Sequence, residues 1–188
     1  IFERLEEDNL SAKELSEEQI TQMTEEIVQE KLTLKKYDIF NSIPKYRILA
    51  QRLKRVIVKS MKYIVDSLKY SEFEVVGHEV ELKGQTDLNN DESNSNLKMQ
   101  KVLKPMIFEL KDGRKVELTG KIDRMDIAKT PDGNYIRIID YKSSIRNINL
   151  NEVAAGLQLQ LLTYLDAVCK QEDVMPAGIF YFSLLEQM

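Results

Sequence analysis

Three charged residues lie in two stretches of the sequence that otherwise have the pattern of buried strands. Asp123 lies in residues 120–126, and Asp140 and Lys142 lie in residues 138–143. Charged side chains inside apolar strands need partners, because burying an unpaired charge is costly. Two adjacent carboxylates repel each other unless a cation lies between them, and hard oxygen ligands favour Mg²⁺ or Mn²⁺ over Zn²⁺. The residue types therefore predict metal-assisted hydrolysis of a phosphodiester, in which Lys142 orients the attacking water or stabilises the developing charge.

A β-hairpin would bring these three side chains together. Turn residues at 130–134 separate the two stretches, and we place the centre of the turn near residues 131–132. In that register Asp123 lies directly across from Asp140 on the neighbouring strand. Lys142 shares a face with Asp140, because side chains alternate along a strand. A buried aspartate–lysine ion pair with a purely structural role is the alternative, and the spacing alone favours neither interpretation.

The composition excludes several classes of protein. The chain has 188 residues, 43% hydrophobic and 31% charged, as expected for one globular domain. No apolar run approaches the roughly 18 residues of a membrane span. A single cysteine, Cys169, excludes an intrachain disulfide, and a single histidine, His78, excludes a histidine-rich zinc site. We therefore expect a cytoplasmic location.

The two ends of the sequence indicate a piece of a longer protein. The chain opens at Ile1 without an initiator methionine or the pattern of a signal peptide. It ends a few residues after the apolar run 178–182, where a complete domain usually has a closing element. We therefore interpret residues 1–188 as a single domain and as a fragment of a larger protein.

Residues 1–70 are expected to be helical. Ser16 and Gln19 fit a capping box at the start of an amphipathic helix. A longer helix is expected from Pro44 to about residue 70, because proline is favourable in the first turn and apolar residues follow at helical spacing.

This second helix carries an unusual concentration of positive charge. The net charge of the chain is −4, so a nucleic-acid partner would require a local basic surface. The helix has eight cations against a single acid, Asp66: Lys45, Arg47, Arg52, Lys54, Arg55, Lys59, Lys62 and Lys69. We expect Arg52, Arg55 and Lys59 to bind DNA phosphates, with a merely solvated helix face as the alternative.

The rest of the chain has strand patterns on either side of one helical pattern. Strands are predicted at residues 73–82, 106–110, 116–128, 135–142 and 177–182, and a helix at 151–170. Residues 73–143 are expected to form antiparallel strands, and the last strand is expected to be parallel and buried on both sides. The polar residues 84–96 are expected to form a mobile loop. The predicted fold is α/β (α+β), a mixed sheet with an antiparallel meander flanked by helices.

The region of the three charged residues resembles a known nuclease family. Three motifs occur in the order found in the RecB-type nuclease module of the PD-(D/E)XK superfamily: Gly-x-x-Asp-Arg-Met-Asp at 120–126, Ile-Ile-Asp-Tyr-Lys-Ser at 138–143 and Gly-Leu-Gln-Leu-Gln-Leu-Leu-Thr-Tyr-Leu at 156–165. The resemblance covers essentially the whole chain. It implies a restriction-endonuclease-like core for the single domain 1–188.

The resemblance assigns metal and catalytic roles to residues of the hairpin. Asp123 and Asp140 match the two metal-binding aspartates, and the carbonyl of Tyr141 is implied as a further ligand. Lys142 matches the catalytic lysine. Glu79 resembles the acidic residue on the strand before the metal site.

The resemblance also covers the helix that follows the hairpin. Gln160 and Tyr164 match a Gln-x-x-x-Tyr motif. Their i, i+4 spacing places them on one helical face, where they would brace the lysine or contact the DNA backbone. Core packing is the alternative for Tyr164.

The sequence also departs from the family pattern. The family has a metal-binding histidine upstream of the region that opens this chain, and His78 is not its counterpart because its strand parity matches that of apolar neighbours. The related modules carry four cysteines for a [4Fe-4S] cluster, one upstream and three downstream of the nuclease core. Cys169 is instead expected to be a small packed side chain, and the cluster would belong to cysteines outside this chain.

Within the superfamily, the likeness is greatest to the AddB family, the second subunits of bacterial AddAB helicase-nucleases. The resemblance implies Mg²⁺- or Mn²⁺-dependent exonuclease activity on double-strand DNA ends and single strands during repair and recombination. It also implies an AddA-type helicase-nuclease subunit as heterodimer partner, and ATP-binding helicase regions elsewhere. The isolated chain is expected to be inactive because metal ligands are missing. A free-standing RecB-like exonuclease of the CRISPR-associated type, and a degenerate nuclease fold that only binds DNA or a partner, are the alternatives.

Overall fold

The structure is a computed structural model that describes residues 1–83 and 102–184. These residues form two compact units, one of residues 1–71 with residue 184 and one of residues 72–183, which are described separately below. The predicted mobile loop at 84–96 lies outside the described residues. Within the two described ranges, no helix combines the length and the apolar character that a membrane crossing requires.

The first unit is helical, as predicted. Its elements are α1 (Phe2–Glu7), α2 (Glu17–Leu32), α3 (Ile39–Ser42) and α4 (Pro44–Lys69), with short 3₁₀ helices at Ala12–Glu14 and Lys35–Tyr37. The capping box of α2 is present: the amide of Gln19 donates to Ser16 Oγ at 3.2 Å, and the amide of Ser16 donates to Gln19 Oε1 at 2.8 Å. These bonds satisfy amides that the first turn of a helix leaves without backbone partners.

The long basic helix α4 begins at Pro44, as predicted, and is anchored mainly through its second half. Met61, Ile64, Val65 and Leu68 are buried there. Ion pairs at 3.4 and 3.3 Å join Lys54 to Glu25 and Lys62 to Glu17, both acids of α2. Apolar packing therefore holds one face of α4, while its cations lie on the others.

The second unit contains the sheet. Its elements are β1 (Phe73–Leu82), β2 (Val102–Leu103), β3 (Met106–Glu109), β4 (Lys115–Leu118), β5 (Gly120–Thr130), β6 (Gly133–Lys142), α5 (Leu150–Ala154), α6 (Gln160–Gln171) and β7 (Met175–Ser183). Five strands form one sheet in the order β2-β1-β5-β6-β7. The pairs β1–β5 and β5–β6 are antiparallel, whereas β1–β2 and β6–β7 are parallel. The predicted mixed α/β sheet is confirmed.

The single strand predicted at 116–128 is wrong, because the chain changes partner near Thr119. Strand β4 pairs with β3 in a separate two-stranded sheet, with Leu118 opposite Met106. Strand β5 then starts at Gly120, opposite Leu82 of β1. Both segments have strand patterns, so the sequence does not reveal that they belong to different sheets.

The single helix predicted at 151–170 is also wrong. Gly156 has a φ of +80°, a conformation that favours glycine, and it ends α5. The amides of Gly156 and Leu157 donate to the carbonyls of Val153 and Glu152, which is the hydrogen-bond pattern of a Schellman motif. As a consequence Leu157, which lies within the predicted helix, is outside both helices and is 75% exposed.

The last strand, β7, is parallel to β6, as predicted, but it is not buried on both sides. It is the final strand in the sheet order, and Phe180 is 50% exposed. A continuous apolar run is typical of a strand covered on both faces. Here the run lies at an edge, so part of it remains accessible.

The core gives the two faces of the sheet different characters. Met125 of β5 and its strand neighbours Ile136 and Ile138 of β6 pack in one buried cluster with Leu161 and Val168 of α6. We call this side the α6 face and the opposite side the reverse face. Side chains alternate along a strand, so the residues of β6 beyond Ile138 divide between the two faces. Asp140 and Lys142 lie on the α6 face with Ile138, and Tyr141 lies on the reverse face.

Candidate active site

The β5–β6 hairpin has the predicted register. Regular pairs run from Thr130–Gly133 to Arg124–Ile139. One position further in the same register are Asp123 and Asp140. The turn residues and the apolar pattern were therefore sufficient to predict which residues of the two strands lie opposite each other.

The carboxylate of Asp123 is fixed by the backbone of the neighbouring strand. The amide of Tyr141 donates to Asp123 Oδ2 at 2.8 Å. Because Tyr141 lies between Asp140 and Lys142 in sequence, this hydrogen bond joins the first predicted metal ligand to the strand that carries the second. The other oxygen of Asp123, Oδ1, is not the acceptor in this bond.

Asp140 is buried, with 7% of its surface exposed. Within the residues that the structure describes, its Oδ2 is buried without a hydrogen bond of regular geometry. The ammonium of Lys142 nevertheless lies 2.6 Å from this oxygen and forms an ion pair with it. A buried carboxylate oxygen without a regular hydrogen bond needs an explanation, and a bound ion would provide one.

Lys142 is held near Asp140 but remains partly accessible. Its side chain is 32% exposed. Its Nζ atom also lies 5.6 Å from the centre of the Tyr181 ring, on β7. The ammonium is therefore placed beside a buried carboxylate at a point that solvent can reach.

Glu79 lies level with Asp123 on the other neighbour of β5. The pairs His78–Arg124 and Val80–Ile122 flank it. Its backbone has a φ of +53°, which is uncommon for a residue other than glycine. Its exposed carboxylate pairs with Lys121 at 2.8 Å, and this hydrogen bond raises the pKa of Lys121. The structure therefore places Glu79 beside the hairpin, paired with a lysine of β5.

Gln160 and Tyr164 share a face of α6, as predicted. Gln160 Nε2 donates to Tyr164 Oη at 3.2 Å, and Tyr164 belongs to the buried cluster of the sheet. The hydroxyl of Tyr164 also explains Gly120, the first residue of the 120–126 motif. A Cβ atom at position 120 would lie 2.3 Å from Tyr164 Oη, which is too close for any side chain.

The charged residues on the reverse face were not predicted to have a role. Arg124 Nε and Nη2 donate to the two oxygens of Asp126, each at 2.6 Å. Arg137, directly opposite Asp126, donates from Nε to Asp126 Oδ2 at 2.9 Å. The sequence contained a signal for this network. Arg124 and Asp126 have opposite charges two residues apart in an apolar strand, and the predicted register places Arg137 opposite Asp126.

The remaining candidates lie outside the hairpin. Arg52, Arg55 and Lys59 are exposed on α4. Arg55 and Lys59 line a groove of ≈ 470 Å³ together with Glu25, Gln51, Lys54, Val58 and Lys62. Basic residues and one acid therefore make up most of the lining.

The structure also places His78 and Cys169. The described ranges contain no group of three or more histidine, cysteine, aspartate or glutamate side chains placed to hold a metal ion. Cys169 is partly buried on α6, and burial raises the pKa of its thiol. The predicted oxygen donors of the candidate site remain Asp123, Asp140 and the carbonyl of Tyr141.

Comparisons with known proteins show the family of the chain. The family model for the PD-(D/E)XK nuclease superfamily matches residues 1–188. The chain is 35% identical over 182 residues, 94% of its length, to an ATP-dependent helicase/deoxyribonuclease subunit of Alkaliphilus oremlandii. It is 39% identical over 165 residues, 85% of its length, to the protein of the same name from Clostridium novyi. The chain spans 15% and 13% of these two relatives. It belongs to the PD-(D/E)XK nuclease superfamily.

Proposed function

We propose that the chain is the nuclease domain of an AddAB-type helicase-nuclease subunit and that it hydrolyses DNA phosphodiesters during the processing of double-strand breaks for recombinational repair. The relatives are named as subunits of a helicase/deoxyribonuclease, and this chain matches a small part of their length. The observation that carries the proposal is the hairpin register, which brings Asp123, Asp140 and Lys142 to the same end of two adjacent strands.

The oxygen donors of the site suit a hard divalent cation. Asp123, Asp140 and the carbonyl of Tyr141 would hold Mg²⁺ or Mn²⁺, whose preferred ligands are carboxylate and carbonyl oxygens. The buried Oδ2 of Asp140, which lacks a regular hydrogen bond among the described residues, supports this assignment. When bound, such an ion lowers the pKa of a coordinated water and offsets negative charge on the phosphate.

The protein's own groups would orient the reactants. Lys142, placed against Asp140 and partly accessible, would hold the attacking water or stabilise the negative charge that develops on the phosphate. Asp123 keeps a fixed orientation through its hydrogen bond with the Tyr141 amide. The proposal also assigns three neighbouring residues to the catalytic site: Glu79, Gln160 and Tyr164. A hydrogen bond joins the last two of them.

The basic helix α4 would bind the DNA backbone. Arg52, Arg55 and Lys59 are exposed, and phosphate contacts of this kind provide affinity that is independent of sequence. The proposal also includes an AddA-type subunit as partner, ATP-dependent helicase activity elsewhere in the protein and a cytoplasmic location. The single cysteine cannot hold a [4Fe-4S] cluster alone, so such a cluster would depend on cysteines outside this chain.

A degenerate nuclease fold that only binds DNA or a partner is the second candidate. The observation in its favour is the ion pair of Asp140 and Lys142 at 2.6 Å, because a purely structural pair would have this geometry. In that case Lys142 would contribute to stability and not to hydrolysis.

The test compares two lysine variants of the complete polypeptide that contains the chain. Lys142→Met removes the ammonium at the site, and Lys170→Met removes the ammonium of an exposed ion pair with Asp166 on α6. We expect cleavage of linear duplex DNA with Mg²⁺ to fall at least about a hundredfold in Lys142→Met and to stay unchanged in Lys170→Met. Equal cleavage by the two variants, or no cleavage by the wild type, would support the degenerate fold instead.

A further inference from the structure

Three charged residues on the reverse face, Arg124, Asp126 and Arg137, form a hydrogen-bonded network. Arg124 is 4% exposed and Asp126 is fully buried. Both oxygens of Asp126 accept hydrogen bonds from Arg124, and Oδ2 also accepts one from Arg137. A two-point contact between a guanidinium and a carboxylate fixes the orientation of both groups.

Arg137 is itself held in place. Its guanidinium carbon lies 4.2 Å from the centre of the Phe73 ring, on β1. Stacking on an aromatic ring and pairing with Asp126 together restrict this side chain on two sides. The network therefore spans β1, β5 and β6, and Arg124 occupies its end nearest the candidate site.

Arg124 also contacts the residue between the site's aspartate and lysine. Its Nη1 donates to Tyr141 Oη at 3.3 Å. The rings of Tyr141 and Phe182 form a T-shaped pair, with their centres 5.7 Å apart. The backbone amide of Tyr141 meanwhile donates to Asp123. Two consecutive residues of β5, Asp123 and Arg124, thus hold Tyr141 by its amide and by its hydroxyl.

We propose that Arg124 is a positioning residue, which acts through the hydroxyl of Tyr141 to fix the backbone that presents the Tyr141 carbonyl, Asp140 and Lys142. The proposal rests on the proposed function, because it concerns the orientation of that same site. The network lies on the reverse face, so it acts through β6 and not by contact with a substrate.

The roles of donor and acceptor follow from the chemistry of the two groups. A guanidinium has only N–H donors, so Arg124 donates and the hydroxyl oxygen of Tyr141 accepts in their hydrogen bond.

The first experiment measures amide hydrogen exchange by NMR in the 188-residue chain. Tyr141→Phe removes only the hydroxyl, and Tyr135→Phe makes the same change elsewhere on β6. We expect the amide of residue 141 to exchange about tenfold faster in Tyr141→Phe, while the amide of Ile138 and all amides in Tyr135→Phe stay unchanged. Unchanged exchange at residue 141, or an equal increase at Ile138, would overturn the proposal, because a purely stabilising hydroxyl affects the whole strand.

The second experiment measures Mn²⁺ affinity of the complete polypeptide that contains the chain by titration calorimetry. We expect Tyr141→Phe and Arg124→Lys to weaken binding several-fold, since lysine keeps the charge but lacks the second hydrogen bond to Asp126. If both variants keep the full affinity, the positioning role of Arg124 is contradicted. If Arg124→Lys does not fold, full affinity in Tyr141→Phe alone contradicts it.

The exchange measurement separates this proposal from the proposed function, because it needs neither metal nor DNA. If exchange at residue 141 responds as expected while Lys142→Met cleaves DNA like the wild type, only the proposed function fails. If Lys142→Met is inactive and exchange at residue 141 is unchanged, only the role of Arg124 is overturned.

Discussion

Asp123 Oδ2 accepts a hydrogen bond of 2.8 Å from the backbone amide of Tyr141. This bond ties β5 to β6 at the position where Asp140 and Lys142 flank the donor. One of the two predicted metal ligands therefore also helps to hold the strand that carries the other. Substitutions of Asp123 must affect both the local structure and any metal binding.

Asp123→Ala should lower the stability of the chain. Removal of one of two neighbouring carboxylates would by itself relieve repulsion and raise stability. In this structure, however, Asp140 is already paired with Lys142, and loss of Asp123 leaves the Tyr141 amide without its acceptor. We expect the free energy of unfolding to fall by about 1–2 kcal/mol in urea denaturation, with little change for the exposed control Asp132→Ala. A gain in stability would show that repulsion dominates.

Gly120→Ala should destabilise the fold through Tyr164. The added Cβ atom would lie 2.3 Å from Tyr164 Oη, so one of the two residues must move. We expect a loss of about 1–3 kcal/mol, the usual cost of overpacking a core. The check is a double-mutant cycle, in which Gly120→Ala should cost much less in a Tyr164→Ala background. Equal costs in the two backgrounds would exclude Tyr164 as the cause.

Charge reversal on α4 should weaken DNA binding without regard to sequence. We expect Arg52→Glu, Arg55→Glu and Lys59→Glu together to reduce affinity about tenfold or more at low salt and to flatten its salt dependence, because fewer counterions are released. The control reverses three exposed lysines of the second unit, Lys111, Lys115 and Lys129, with the same change in net charge. Equal weakening by the two triple variants would mean that only net charge matters.

Tyr141 should ionise only in strongly alkaline solution. Burial raises its pKa above the ordinary value of 10.0, although Arg124 opposes the shift. Because the folded pKa is the higher one, the stability linked to this proton is complete below about pH 10 and is lost as the pH rises through the folded pKa. The measurement is the tyrosinate absorbance of the wild type as a function of pH, from which that of Tyr141→Phe is subtracted. The midpoint of this difference titration should lie above pH 10. A midpoint below pH 10 would contradict a buried phenol.

The sequence was sufficient to predict elements whose signals are local. The capping box of Ser16 and Gln19, the start of α4 at Pro44 and the hairpin register each depend on residues close together in the chain. The observed register is regular as far as Arg124 and Ile139, and its continuation by one position predicts Asp123 opposite Asp140. The observed part of the register followed from turn position and strand alternation alone.

The features that the sequence did not predict depend on tertiary partners. The change of sheet near Thr119 requires knowledge of which strand pairs with β4. The exposure of Phe180 depends on the edge position of β7. The Arg124–Asp126–Arg137 network requires side-chain geometry, because charges two residues apart pair only when burial and rotamers allow it. The position of Gly156 was known from the sequence, but a glycine that ends a helix could not be distinguished there from a glycine tolerated inside a helix.

The most direct test is DNA cleavage by Asp140→Asn in the complete polypeptide that contains the chain. The substitution keeps the size of the side chain and removes the charge of the buried carboxylate, and Asp166→Asn makes the same change at an exposed ion pair on α6. We expect Mg²⁺-dependent degradation of linear duplex DNA to be lost in Asp140→Asn, with folding retained, and to be unchanged in Asp166→Asn. Wild-type cleavage by folded Asp140→Asn would show that these residues do not form the nuclease site.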